Sequence, residues 1–105
     1  MTPPPYEFYI SSQGRDAIDV LRRNDVLEDE VAQVLDSQHR LPLPMVADYG
    51  SRTLAILGRT RSGRALRVDV RLAAGFRRII VGARDMSDDE LAHYEKWVGS
   101  DEQPD

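Results

Sequence analysis

Nine arginines lie within residues 52–84, and their side chains are the groups in this sequence best suited to chemistry on phosphate. A planar guanidinium group binds two phosphate oxygens at once and keeps its proton at physiological pH. The same segment contains one acid, Asp69, so its net charge is +8, whereas the rest of the chain carries −12. Segregation of this kind favours an anionic partner. The alternative is that these arginines only solvate the exposed sides of strands. The nine are Arg52, Arg59, Arg61, Arg64, Arg67, Arg71, Arg77, Arg78 and Arg84.

Several kinds of catalytic site are excluded by residue type. The chain has no cysteine, which excludes disulfides and thiolate metal sites. Its two histidines, His39 and His93, lack the spacing of transition-metal ligands, and each is expected to be a surface residue. No phosphate-binding glycine loop, dinucleotide-binding motif or nucleophilic serine motif occurs. We therefore expect no metal and no cofactor.

The length of the chain predicts one domain over residues 1–99, followed by a short acidic tail, 100–105, which we expect to be disordered. The N-terminus has no basic region followed by an apolar run, so it does not resemble a signal peptide. No apolar stretch approaches the roughly 20 residues that span a bilayer. We expect a cytoplasmic protein without a membrane partner.

The arginines must be positioned by a predicted antiparallel meander of three strands. Residues 52–60 form its first strand, a turn follows at 61–64, and residues 65–72 return. Along the returning strand apolar side chains alternate with polar ones, which predicts one buried and one solvated face. Residues 76–83 form the third strand, whose run Ile79-Ile80-Val81 suggests a central position covered on both faces. The alternating positions are Leu66, Val68, Val70 and Leu72 against Arg67, Asp69 and Arg71.

Helical patterns precede the meander. Residues 6–10 are predicted to form an edge strand, and helices are predicted at 14–23 and 27–36 because their apolar residues recur at helical spacing. Prolines within residues 37–51 argue against a central strand there and leave room for a short edge strand at 45–48.

A final helix follows the meander. Ser87 and Glu90 have the spacing of a capping box, and Gly99 is expected to end the helix. Leu91 and Tyr94 belong to its apolar stripe. The predicted fold class is α+β, in the order strand, helix, helix, three-stranded antiparallel meander, helix.

Three stretches of the chain resemble the BrnT-type toxin family, small ribonucleases with a RelE-like fold. Arg-Asn-Asp-Val at 23–26, followed by Glu-Val-Ala-Gln-Val-Leu at 30–35, stands where the family has Lys-His-Gly-Val and an acidic second helix. Residues 52–64 resemble its hairpin, in which a strand ending in glycine leads to a Gly-Arg turn. Residues 78–87 resemble its closing strand, which ends Ala-Arg-Asp-Met-Ser/Thr. Glu90 and Tyr94 match an acid and a tyrosine of the family's final helix.

The resemblance implies a metal-independent ribonuclease toxin of a type II toxin–antitoxin system, in which the ribose 2′-hydroxyl attacks the adjacent phosphate. This chemistry needs a cation for the phosphorane oxygens and groups that move protons. The implied partners are RNA and a cognate DNA-binding antitoxin, and a homo-oligomer is left open. The candidate catalytic residues are Arg84, Arg78, Glu90, Tyr94 and Arg23, and the candidate RNA-binding residues are Arg52, Arg59, Arg61 and Arg64.

Each leading candidate has both a functional and a structural interpretation. Arg84 would bind the phosphate, or would only pair with Asp85 or Glu90. A spacing of six residues predicts that Arg78 shares the strand face of Arg84. Glu90 would act as a base, orient an arginine or only cap the helix, and Tyr94, four residues later on the same helical face, would contact RNA or only pack in the core.

The sequence departs from the family pattern at four positions. Arg23, Asn24 and Asp25 stand where the family has lysine, histidine and glycine, and Leu91 stands where it commonly has arginine. The loss of a proton carrier and of a cation leaves open a catalytically degenerate relative that binds RNA or protein. A third hypothesis is an interaction domain that uses the acidic helices rather than the sheet.

Overall fold

The described part of the chain forms a five-stranded mixed sheet with three helices. The computed structural model describes residues 6–10, 16–46, 52–73 and 77–102. Strands β2 to β5 form an antiparallel meander, β1 pairs with β5 in parallel, and the spatial order is β1-β5-β4-β3-β2. The elements in chain order are β1 (Glu7–Phe8), α1 (Ala17–Arg23), α2 (Glu28–Leu35), β2 (Leu41–Val46), β3 (Arg52–Arg59), β4 (Ala65–Ala73), β5 (Arg77–Asp85) and α3 (Asp88–Glu102).

The predicted α+β class is confirmed, but the predicted order of elements omitted one strand. The meander has four strands rather than three because β2 lies between α2 and β3. β2 includes Pro42 and Pro44, both exposed. It starts before the short edge strand expected at 45–48. Residues 47–48 of that expected strand lie outside the described residues. The prolines are tolerated because β2 is an edge strand, and among the described strands none pairs with its outer edge, where backbone N–H groups would otherwise be needed.

Helices α1 and α2 pack on one side of the sheet, which we call the helix face. Leu21 of α1 and Val31 and Val34 of α2 are buried against apolar side chains of β3, β4 and β5. α2 approaches so closely that a Cβ at position 58 would lie 3.0 Å from Cγ1 of Val34, which explains the glycine there. The strand residues of this core are Ile56, Leu66, Val68, Val70, Ile80 and Ala83.

The opposite side of the sheet, which we call the arginine face, presents Arg67, Asp69 and Arg71 of β4. The predicted alternation is confirmed for the apolar positions 66, 68 and 70, which are buried, whereas Leu72 is 39% exposed near the end of the strand. Ala55 and Leu57 of β3 are also on this side and are buried. α3 begins beside the end of β5 and contacts β3, so it crosses the arginine face at the end nearest the β3–β4 turn.

A β-bulge in β5 divides the strand into two parts. Asp69 pairs with Gly82 and Val70 with Ile80, so Val81 is an extra residue without a partner in β4. One inserted residue reverses the alternation of side chains. Arg84 pairs with Arg67 on the arginine face, whereas Arg78 pairs with Leu72, which has the helix-face parity. The prediction that Arg78 and Arg84 share a face is therefore wrong.

The start of α3 is fixed by the predicted capping box. The Ser87 N–H donates to Oε1 of Glu90 at 2.8 Å, and the Glu90 N–H donates to Oγ of Ser87 at 3.2 Å. The helix continues to Glu102, so Gly99 does not end it. Residues 103–105, which belong to the predicted acidic tail, lie outside the described part of the chain. Among the residues that the structure describes, no helix is long and apolar enough to cross a membrane.

Candidate functional site

Two arginines from neighbouring strands converge on one carboxylate. Arg67 of β4 and Arg84 of β5 lie directly opposite each other, and Glu90 of α3 lies over both. Arg84 donates from Nη1 to Oε1 of Glu90 at 2.8 Å and from Nη2 to Oε2 at 3.0 Å. Arg67 donates from Nη1 to Oε2 at 2.8 Å. We call Arg67, Arg84 and Glu90 the two-arginine site.

The Glu90 carboxylate accepts four N–H groups, counting the Ser87 backbone N–H together with those of the arginines. The hydrogen bond from Arg84 is the main reason that its pKa falls from 4.5 to about 2; burial opposes this shift, and the bonds from Ser87 and Arg67 add to it. Its side chain is 17% exposed. Glu90 is thus ionised at neutral pH, a poor proton acceptor, and a strong orienting partner for both guanidinium groups.

The two arginines of the site differ in how much of the guanidinium group remains available. Arg67 also donates from Nε to Asp69 at 2.8 Å and is 21% exposed. Burial works against its charged form, but the hydrogen bonds to Glu90 and Asp69 outweigh it and raise the Arg67 pKa. Arg84 is 41% exposed and adds one bond from Nη1 to the Asp85 carbonyl. No hydrogen bond in the described residues uses its Nε–H, so Arg84 offers a donor edge to solvent.

Tyr94 lies apart from the two-arginine site. It shares a helical face with Glu90, as predicted, but the residue is buried and its hydroxyl donates to the His39 carbonyl at 2.6 Å. Its ring also contacts Trp97, with centroids 6.1 Å apart. The structure thus favours the core interpretation of Tyr94 over contact with RNA.

Arg64, a predicted RNA-binding residue, is saturated by protein groups. It donates from Nε and Nη2 to the two carboxylate oxygens of Asp85 at 2.9 and 3.3 Å, and from Nη1 to Glu30 at 3.0 Å. It also donates to the carbonyls of Asn24 and Asp25 at 3.3 and 2.6 Å. These contacts account for all five N–H groups of a guanidinium. The pairing raises the pKa of Arg64 and lowers that of Asp85, chiefly through the hydrogen bond between them. Arg64 therefore ties the β3–β4 turn to the α1–α2 connection.

The charge segregation seen in the sequence is largely neutralised in space. Arg59 pairs with Glu95 at 3.2 Å, and Arg77 pairs with Glu7 at 2.6 Å. With Arg64, Arg67 and Arg84, five of the nine arginines in residues 52–84 therefore face carboxylates, most of them from outside that segment. Within the described ranges, those without a carboxylate partner are Arg52, Arg61, Arg71 and Arg78.

The remaining predicted candidates are not gathered around Arg84. Arg23 ends α1 and is exposed, Arg52 starts β3, Arg61 lies in the β3–β4 turn, and Arg78 is beyond the bulge. In the part of the chain that the structure describes, no hydrogen bond or ion pair joins any of them to Arg84.

Asn24, at the position where the family pattern has histidine, has a structural contact. Its side-chain amide donates to the Ala83 carbonyl at 2.9 Å and so holds the end of α1 against β5. The preceding helix ends here, and Asp25 adopts a left-handed backbone with φ of 55°.

Sequence reasoning did not single out Arg67 and Asp69 as site residues. The alternation along β4 placed both on the solvated face, but the pairing of Arg67 with Arg84 follows from the register of β4 with β5. That register depends on the bulge at Val81, and the signal that could have indicated it is Gly82, an isolated glycine inside the strand pattern next to the extra residue.

A groove of about 810 Å³ lies between α2, the β3–β4 turn and α3. Arg59 and Arg61 line it together with Asp29, Asp36 and Glu95. Its charges are therefore mixed, and it offers no cationic surface that would favour RNA. Among the described residues, no group of three or more His, Asp or Glu side chains could hold a metal ion.

Comparison of the sequence with models of known protein families and with characterised proteins finds no match.

Proposed function

We propose that the protein is a metal-independent ribonuclease toxin of a type II toxin–antitoxin system, with a RelE-like fold and a BrnT-like sequence pattern. The observation that carries the proposal is the convergence of Arg67 and Arg84 on Glu90, with Arg84 partly exposed. Arg84 and Glu90, which match the family pattern, belong to the two-arginine site. The other residues of the Ala-Arg-Asp-Met segment lie next to Arg84 in the chain.

In the proposed reaction the ribose 2′-hydroxyl attacks the adjacent phosphate and the 5′-oxygen of the next nucleotide leaves. Negative charge accumulates on the non-bridging oxygens in the transition state, and a guanidinium that is already oriented stabilises that charge without reorganising. Arg84 binds these oxygens through the edge that Glu90 does not occupy. Arg67 adds a second positive charge, and Glu90 holds both planes in place.

Proton transfer in this proposal does not use Glu90 or Tyr94. A carboxyl group with a pKa of about 2 accepts a proton poorly at neutral pH. The Tyr94 hydroxyl is committed to the His39 carbonyl. Solvent hydroxide therefore removes the 2′-proton, a water molecule protonates the departing 5′-oxygen, and electrostatic stabilisation supplies most of the rate enhancement.

Purified protein tests the proposal on single-stranded RNA in the presence of EDTA. The wild type should cleave, Arg84→Lys should lose most activity because lysine lacks the planar fork, and Arg84→Gln should lose nearly all. Arg22→Gln removes the same charge from an exposed side chain of α1, so it is the control and should cleave normally. Induced expression should arrest growth with the wild type and not with Arg84→Gln. Intact RNA with all four proteins would contradict the proposal.

A second candidate, a catalytically degenerate relative that binds RNA or a protein, is favoured by one set of contacts. Asn24 replaces the histidine of the family pattern and donates a hydrogen bond to the Ala83 carbonyl. The Glu90 carboxylate already accepts hydrogen bonds at both oxygens, so it is not available as a base. Under this alternative the wild type cleaves nothing, while Arg84→Gln weakens binding and reduces its dependence on salt. A partner footprint on residues 28–36 would instead favour an interaction domain built on the acidic helix α2.

A further inference from the structure

A second cationic feature lies on the arginine face, away from α3. The guanidinium carbon of Arg71 is 5.2 Å from the centroid of the Tyr9 ring. Arg71 is exposed, and within the described ranges no carboxylate pairs with it. Tyr9 is half-buried at the end of β1, where its N–H donates to the Ile80 carbonyl at 2.8 Å. Because Arg71 is exposed, part of its guanidinium group faces solvent while its central carbon lies over the ring.

The charges around this pair distinguish it from the rest of the face. Arg77, the other arginine at this end, is neutralised by Glu7. Asp69, two residues before Arg71, is held by Arg67 at 2.8 Å. Among the described residues of this end of the arginine face, what remains is one planar cation without a carboxylate partner, on an aromatic ring, the combination on which nucleobases stack irrespective of sequence.

The distance to the two-arginine site suits a short stretch of single-stranded RNA. Arg71 follows Arg67 by four residues on the same face of β4, which corresponds to about 13 Å along a strand. One strand of stacked nucleic acid rises about 3.4 Å per nucleotide, so a few nucleotides bridge the gap. α3 crosses the face at the Arg84 end and leaves the Arg71 end accessible.

We propose that Tyr9 and Arg71 form a base-stacking subsite for single-stranded RNA whose scissile phosphate lies at Arg84. The inference rests on the proposed function and deepens it, because it assigns where a nucleotide flanking the cleaved bond is held. The Tyr9 ring supports one side of the Arg71 guanidinium plane, and the base stacks on the solvent-facing side of that plane. Recognition here is tolerant of sequence and requires a substrate longer than a dinucleotide.

Binding of a 2′-O-methylated octanucleotide, which lacks the attacking hydroxyl, tests the subsite by fluorescence anisotropy. Arg71→Lys keeps the charge and loses the plane, so binding should weaken about five- to a hundredfold while its salt dependence is unchanged. Tyr9→Leu should weaken binding to a similar extent, and its fold is checked by circular dichroism. Arg22→Gln is the control, and binding of a dinucleotide should not respond to Arg71→Lys.

The subsite is overturned if Arg71→Lys binds the octanucleotide as the wild type does, or if the wild type does not bind it at all. A protein partner that covers Tyr9 and Arg71 without competition from RNA would also overturn it. The two proposals fail separately. If Arg71→Lys loses octanucleotide binding and the wild type does not cleave RNA, the ribonuclease is rejected and the base-stacking subsite is kept only as part of an RNA-binding surface. Normal KM and binding in Arg71→Lys, with cleavage intact, rejects the subsite alone.

Discussion

Replacing Glu90 with glutamine removes the carboxylate that four N–H groups share while it keeps the size of the side chain. In the folded protein the Glu90 pKa is about 2, against an ordinary value of 4.5, because of the bonds from Arg84, Ser87 and Arg67. A carboxyl group whose pKa is depressed by folding stabilises the protein above its unfolded pKa, and this contribution is lost as the pH falls towards the folded pKa. The shift corresponds to roughly 3 kcal/mol at neutral pH and to about half of that near pH 3.

Urea unfolding of wild type and Glu90→Gln at several pH values measures this contribution. We expect the variant to have a free energy of unfolding lower by roughly 3 kcal/mol at pH 7, with the difference shrinking below about pH 4.5 and nearly vanishing at about pH 2. Glu95→Gln is the matched control, since Glu95 also lies on α3 and pairs with an arginine, but is 57% exposed. An exposed pair of this kind contributes less than about 1 kcal/mol.

A Glu90→Gln difference that stays constant between neutral pH and about pH 2.5 would refute a stabilising role for the ionised carboxylate. A constant difference would mean that the loss comes from packing or helix capping and not from the ionised carboxylate. Equal losses in the free energy of unfolding for Glu90→Gln and Glu95→Gln would likewise show that burial of the two-arginine site does not strengthen the stabilisation by its ion pairs.

Three further predictions concern other parts of the molecule. Arg64→Lys should lower the free energy of unfolding by about 2–3 kcal/mol in urea, because an ammonium cannot replace five N–H groups, and a loss below about 0.5 kcal/mol would contradict its structural role. Gly58→Ala should destabilise by about 1–3 kcal/mol because the new methyl meets α2 at 3.0 Å, whereas Gly99→Ala in open space on α3 should stabilise by up to about 1 kcal/mol; equal effects on thermal unfolding would refute this. Under the proposed mechanism the cleavage rate should rise steadily with pH through neutrality, and a bell-shaped profile abolished by His93→Gln would show instead that a side chain moves the proton.

The α+β class and most of the elements could be predicted from the sequence because they depend on local patterns. The alternation in β4 identifies its buried face, and the spacing of Ser87 and Glu90 identifies the start of α3. β2 is anticipated only as a possible short edge strand at 45–48, because proline argues against a central strand and the sequence does not say which strand lies at an edge of the sheet.

The candidate site could be predicted only in part, because its geometry depends on contacts that are distant in the chain. Arg84 and Glu90 were identified and do meet. Arg67 lies beside Arg84 because of the register between β4 and β5, and the single extra residue Val81 places Arg78 on the other face of the sheet. The pairing of Arg64 with carboxylates and carbonyls of the α1–α2 connection could not be read from a segment that looks uniformly basic.

In the proposed mechanism the two-arginine site stabilises a phosphodiester under attack by its own 2′-hydroxyl. The most direct measurement compares cleavage of an RNA oligonucleotide with that of the same oligonucleotide carrying one 2′-deoxyribose at the cleaved position, in EDTA, with products identified by mass spectrometry. We predict cleavage of the first at that position, with a 2′,3′-cyclic phosphate end that Arg84→Gln does not produce, and no cleavage of the second at the modified position. Equal cleavage of the two oligonucleotides at that position, or of neither, would contradict this role of the site.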